Sequence, residues 1–134
     1  LSNKMNGVAM KNISPSEKIL ELIATHLDAI KMTVYRNGTL RANIFRDIWR
    51  VEAMRKNFDQ NEIKLFRTVL KEGKEDGVFG IDDIDITADI LHYCIKGIEV
   101  PYIRGQIGEE LDDATGWRYV ANIVYGALGC RNNE

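Results

Sequence analysis

The chain has 134 residues, 45% of them hydrophobic and 28% charged, and a formal net charge of −2. This balance is typical of a folded globular domain and excludes a disordered, collagen-like or proline-rich chain. No apolar run is long enough to span a membrane, and two cysteines are too few for a disulfide framework. We therefore expect a single domain in a reducing, cytoplasmic location, with no membrane partner.

Charge is divided unevenly along the chain. Residues 1–71 hold 13 basic and 7 acidic side chains, whereas residues 72–134 hold 5 basic and 13 acidic ones. Basic residues crowd between Arg36 and Lys56, a pattern suited to DNA phosphates or to an acidic neighbouring domain. No helix-turn-helix pattern accompanies them, so a solvated helix face is the favoured interpretation.

Helical periodicity dominates the first half of the chain. Ser14, Pro15 and Glu17 match a capping box, which predicts a helix that ends at residues 37–38. A second helix is predicted over 40–57. A second capping box at 59–62 predicts that a third helix begins there. This helix is predicted to end at 73–77. No segment shows period-two alternation, so the predicted class is all-α.

The last two predicted helices begin near Asp85 and Asp113. The earlier one is interrupted by Pro101, which predicts a bend and an end between residues 102 and 104. Its polar edge is formed by Asp89, His92, Lys96 and Glu99.

The last helix, predicted over 113–128, has too little polar surface for a helix that faces solvent. The simplest way to bury it is a second copy of the chain, with the last two helices packed as a homodimeric four-helix interface. The side chains predicted to form this interface are Leu91, Ile95, Ile98, Tyr102, Val120, Ile123, Val124 and Ala127.

Residues that could carry chemistry are sparse. Asp89 and His92 are one turn apart, as in carboxylate-bridged metal bundles, but His26 has Ile23 where a second such pair needs an acid. We therefore expect no metal, no cofactor and no catalytic residue, and a partly exposed His92. Large side chains that are suited to line a ligand pocket between helices are Met32, Phe45, Trp49, Phe66 and Tyr93.

The order of these segments resembles the regulatory domain of TetR-family transcriptional regulators. The resemblance rests on the capped helix that opens at Ser14, the run Leu-Lys-Glu-Gly-Lys-Glu-Asp-Gly-Val-Phe-Gly at 70–80, a long helix with Gly97 inside it, and the closing Tyr-Val-Ala-Asn-Ile-Val-Tyr-Gly-Ala-Leu at 119–128. It covers nearly the whole chain.

This resemblance implies an effector-sensing and dimerisation domain over 13–134, with a small apolar effector and a homodimer through the last two helices. Residues 1–12 would be the end of a helix that joins this domain to an N-terminal DNA-binding domain. A repressor of this kind contacts operator DNA only through that N-terminal domain. That DNA-binding domain is absent from this chain. Because the chain begins with Leu1, we expect the chain to be a fragment of a longer protein. The alternative is a stand-alone homodimeric helical binding or scaffold protein.

Overall fold

The computed structural model describes residues 2–36, 48–103, 105–107 and 113–130, and every regular element in these ranges is an α-helix. The helices are α1 (Ser2–Ala9), α2 (Pro15–Arg36), α3 (Ile48–Glu75), α4 (Ile84–Ile103) and α5 (Asp113–Ala127). The predicted all-α class is confirmed. Within the described ranges, no helix combines the length and the apolarity that a membrane crossing requires.

Side-chain caps begin two of the helices. The Ser14 hydroxyl accepts the backbone N–H of Glu17 at 3.2 Å, which confirms the predicted start of α2. An Asp83 carboxylate oxygen accepts the backbone N–H of Ile86 at 2.9 Å. This bond satisfies a free donor in the first turn of α4, and the negative charge suits the positive end of the helix dipole.

Helix α3 is longer than the sequence pattern indicated. The capping box predicted at 59–62 is wrong, because α3 continues unbroken from Ile48 to Glu75. No glycine or proline stands between residues 48 and 72, so nothing removes or distorts a backbone hydrogen bond in this stretch. The Glu62 side chain, read as a capping group, is instead fully buried and faces other helices.

The helices pack around one apolar core. Helices α2, α3 and α4 contact one another, α1 packs against α2 and α3, and α5 packs against α2. All five helices contribute core side chains, among them Met5, Val8, Ile19, Leu22, Leu27, Phe66, Leu70, Ala88, Ile95 and Val124. Met5 and Val8 tie the short first helix to the core, so any movement of α1 must disturb buried contacts.

A tight turn follows α3 and depends on Gly73. The carbonyl of Gly73 accepts the backbone N–H groups of Val78 at 2.8 Å and Phe79 at 3.1 Å. The Phe79 ring, which is buried, lies directly over Gly73, and a Cβ at that position would overlap it. Gly77, at φ 75°, supplies the left-handed residue that turns the chain.

Gly73→Ala is therefore expected to lower the free energy of unfolding by about 2 kcal/mol, because the added methyl must displace a packed ring. Urea denaturation measures this change. Gly7→Ala in α1 is the matched control, since nothing lies within 4 Å of a Cβ added there. The control should be neutral or slightly stabilising. Equal stabilities of the two variants would contradict the close contact at Gly73.

Candidate functional site

The structure separates the side chains predicted to line a pocket. Phe66 is fully buried in the core, whereas Met32 is 51% exposed and Tyr93 is 64% exposed. These three therefore do not line one enclosed cavity. Phe45 and the side chain of Trp49 lie outside the part of the chain that the structure describes. The predicted pocket stays a prediction.

Helix α4 turns much of its polar edge inward. His92 is fully buried, so the expectation of a partly exposed His92 is wrong. Glu99, two helical turns further along, is also buried. Ala88 and Ile95 share this inner face. Polar side chains normally lie on the solvent side of a helix, so their burial here requires partners on the neighbouring helices.

The partner of His92 is Glu62, which lies between two histidines from two other helices. His92 of α4 donates its Nδ1–H to Glu62 Oε1 at 2.6 Å, and His26 of α2 donates its Nδ1–H to Glu62 Oε2. All three side chains are fully buried. One carboxylate of α3 therefore links α2 to α4 through both of its oxygens.

Further charged groups flank this triad on both sides. His26 Nε2 lies 3.3 Å from Glu99 Oε2, and His92 Nε2 lies 3.5 Å from Asp59 Oδ1. Asp59 in turn accepts a hydrogen bond from Lys96 Nζ at 2.6 Å. We call these residues the buried network, and their order through the molecule is Glu99, His26, Glu62, His92, Asp59 and Lys96.

Two groups of the buried network, His26 and Glu62, have pKa values shifted from their ordinary values. Burial alone lowers the pKa of His26, but its hydrogen bond to Glu62 and the nearby carboxylate of Glu99 outweigh burial and raise the pKa to about 9. Burial raises the pKa of Glu62, but hydrogen bonds from His26 and His92 outweigh it and lower the pKa overall. At neutral pH the network therefore contains a charged His26 against a charged Glu62.

The buried network is not arranged as a metal site. Among the described residues, no group of three or more His, Cys, Asp or Glu side chains could hold a metal ion. The Nδ1 atoms of His26 and His92 are both taken up by Glu62. The chemistry that the network offers is the holding of charge and protons between three helices.

Apolar side chains cover the opposite, outer face of α4. We call Ile86, Ile90, Tyr93, Gly97 and Val100 the outer stripe. Steps of four and three residues place them along a single line of the helix. The four large side chains are each more than half exposed. On α5, Tyr119 and Ile123 are also exposed, Ile123 to 73%. Apolar side chains aligned in this way are typical of a surface that packs against another helix.

The predicted interface residues are divided between core and surface. Ile95 and Val124 are buried in the core, and four more pack against it: Leu91, Ile98, Tyr102 and Val120. Ile123 and Ala127 are exposed. The exposed apolar line of α4 is therefore a different face from the one chosen from the sequence.

An open groove of about 400 Å³ lies between α2 and α5. We call it the α2–α5 groove, and its lining side chains are Glu17, Leu20, Glu21, Ala24, Trp117 and Tyr125. Burial, with Cys130 and Glu17 nearby, raises the pKa of Tyr125. The negative charge of Glu17 on α2 therefore acts on the Tyr125 hydroxyl on α5, on the other side of the groove.

A second cleft, at the α3–α4 turn, has a volume of about 430 Å³ and is lined by both signs of charge. Two of its basic side chains have partners: Arg67 lies 3.4 Å from Asp85 and 3.5 Å from Asp89, and Lys74 donates to the Asp82 carbonyl at 2.9 Å. With Lys71 the lining holds three basic and three acidic side chains, so the two signs of charge balance and leave little to attract a charged ligand.

No protein-family model matches the chain. Comparisons with curated proteins and with solved structures likewise find no match.

Proposed function

We propose that the chain is the effector-sensing and dimerisation domain of a TetR-like transcriptional regulator that acts as a repressor. The observation that carries the proposal is the outer stripe of α4. A helix whose polar edge is partly buried and whose exposed face is apolar is built to pack against another helix. A second copy of the chain offers the same stripe, and two-fold symmetry brings the two stripes together.

The exposed apolar side chains of α5 support the same interface. Tyr119 and Ile123 are one turn apart and share a face of that helix. Packed with the outer stripe, they would make a four-helix contact between two copies. The proposed interface is still formed by the last two helices, and Ile123 remains part of it. On α4, however, the outer stripe forms the contact instead of the side chains predicted from the sequence.

The buried network supplies the second part of the proposed mechanism. It joins the three central helices, and α1 packs on two of them through Met5 and Val8. A ligand that favours one arrangement of these helices would favour one position of α1. In the proposed regulator, α1 would pass this preference to DNA-binding heads that precede it.

A stand-alone homodimeric binding or scaffold protein is the second candidate. It is favoured by the placement of Phe66 in the core and of Met32 and Tyr93 at the surface, which leaves the predicted effector pocket without a common lining among the described residues. This candidate needs the same dimer but no effector and no DNA.

Sedimentation equilibrium and a thermal-shift screen test the proposal together. We expect twice the chain mass in solution. We also expect at least one small apolar compound to raise the melting temperature, because a ligand that binds only the folded state stabilises it. A single-chain mass would refute both candidates. A dimer that no compound in a diverse set stabilises would refute the sensor and leave the scaffold protein.

A further inference from the structure

The α2–α5 groove combines acidic and aromatic walls. Helix α2 contributes Glu17 and Glu21 together with the apolar floor of Leu20 and Ala24, and α5 contributes the rings of Trp117 and Tyr125. Its volume of about 400 Å³ falls within the range of small-molecule sites in proteins. None of these residues belongs to the buried network or to the outer stripe.

We propose that the α2–α5 groove binds an organic cation that carries an apolar body. Carboxylates on one wall would attract the positive charge, while the apolar floor and the two rings would take the body out of water. This binding does not depend on the regulator function. If the chain is a sensor, the proposal adds a ligand class to it.

Charge complementarity is the first argument for a cation. Glu17 and Glu21 are one turn apart on α2 and therefore share a face. Lys11 already pairs with Glu21 at 2.9 Å. Among the described residues, no cation forms an ion pair with the carboxylate of Glu17, which leaves its charge available to a ligand.

The aromatic wall is the second argument. Aromatic rings attract cations through their negative faces, and tryptophan does so most strongly. The protein uses this attraction next to the groove, where Lys31 Nζ lies 5.3 Å from the centre of the Tyr102 ring. That ring stands 6.4 Å from the ring of Trp117. The Tyr102 ring, which attracts the Lys31 ammonium group, is therefore adjacent to the Trp117 ring in the groove.

The lining also indicates which ligands are disfavoured. An anion would meet the carboxylate of Glu17, whose charge no described cation pairs with, and would be repelled by it. A hydrated metal ion gains little from Leu20, Ala24 and the rings, because hard cations bind to shells of oxygen atoms. A neutral apolar molecule would bind without using the acidic wall, and the experiment below separates this case from the proposed one.

Tetraphenylphosphonium and tetraphenylborate test the proposal because they share one shape and carry opposite charges. Each is titrated into the full chain by calorimetry in sodium buffer. We expect the cation to bind and the anion to bind at least about tenfold more weakly, because the carboxylates favour one charge and the rings favour the same one. No binding of the cation, or equal affinity for the two ions, would overturn the proposal.

Variants of the two walls locate the site. Combining Glu17→Gln with Glu21→Gln should weaken the cation about tenfold and bring its affinity close to that of the anion. Trp117→Leu should weaken the cation severalfold, and Trp117→Phe should recover part of the loss because a ring face returns. The matched control combines Glu75→Gln with Asp76→Asn, which removes two exposed carboxylates at the end of α3.

The control should leave the affinity for the cation unchanged. Far-UV circular dichroism must show that each variant is folded before its titration is compared with the wild type. Unchanged cation affinity in the folded Glu17 and Glu21 double variant would overturn the proposal, as would an equal loss in the Glu75 and Asp76 control. These results do not depend on whether an apolar effector is found in the thermal-shift screen.

Discussion

The free energy of unfolding is expected to fall by about 3 kcal/mol between pH 6 and pH 10 through His26 alone. The pKa of His26 is about 9 in the folded chain, whereas the ordinary value of 6.5 applies to the unfolded chain. Below 6.5 the imidazole is protonated in both states, so its stabilising contribution is complete. As the pH rises through 9 the folded protein loses this proton as well, and the contribution disappears.

Urea denaturation over this pH range measures the effect, and His26→Gln identifies its source. The difference in the free energy of unfolding between the wild type and the variant should be largest near pH 6. It should become small above pH 9. Other groups that titrate in this range are present in both proteins, so the difference between them isolates His26. Glu21→Gln, which breaks an exposed ion pair with Lys11, should change stability by less than about 1 kcal/mol at every pH.

Equal pH dependence in the wild type and the His26 variant would contradict a charged His26 in the core. At the acidic end Glu62 acts with the opposite sign, because its pKa is lowered in the folded chain. Its contribution is complete above 4.5 and is lost as the pH falls through the lowered value. The two residues together predict greatest stability between about pH 4.5 and 6.5.

The physical role of the buried network is to fix how three helices are placed against each other. Charged groups lose their hydration on burial, so such a network stabilises less than its short distances suggest. Any slip of α2 or α4 along α3 would leave His26, Glu62 or His92 buried without its partner, at a cost of several kcal/mol. Apolar side chains alone tolerate such slips more easily. This makes the network a strong determinant of one helix arrangement.

Local features of the sequence were enough to predict most helix ends. Ser14 caps α2 as its pattern indicates, and α5 covers Asp113–Ala127, within one residue of its predicted range. The end of α4 at Ile103 also agrees with the prediction, and the helix continues through Pro101. Each of these depends on residues within a few positions of one another, where capping and periodicity are informative.

The buried network was missed because its contacts join distant parts of the chain. Glu62 is 36 positions from His26 and 30 from His92. Near its own neighbours, Glu62 looks like the last residue of a capping box, and His92 looks like part of a solvated edge. The pairing of two polar faces becomes visible only when α2, α3 and α4 are packed together. A histidine within a polar edge was the one available signal.

The face of α4 that is left exposed was also beyond the sequence. The line through Leu91, Ile95 and Ile98 and the line through Ile86, Ile90 and Tyr93 both have helical spacing and both are apolar. Periodicity cannot choose between two such lines. The charged groups of α3 decide it, because they hold His92 inward and so turn the second line outward.

Charge placed on the outer stripe is expected to separate the proposed dimer. Ile90→Glu should weaken self-association at least about a hundredfold, because each copy loses a buried isoleucine and two like charges face one apolar surface. Ile123→Glu should act in the same direction through α5. Sedimentation equilibrium should then give the single-chain mass at concentrations where the wild type has twice that mass.

Met10→Glu is the matched control, because Met10 is also apolar, is 86% exposed, and follows α1, which packs against α2 and α3. It should leave the mass unchanged. If Ile90→Glu unfolds the chain, Tyr93→Lys provides a milder test, since a lysine keeps its apolar stem on the surface. A folded variant of the outer stripe that keeps the two-chain mass would contradict the interface, because two glutamates cannot remain unpaired in an apolar helix contact.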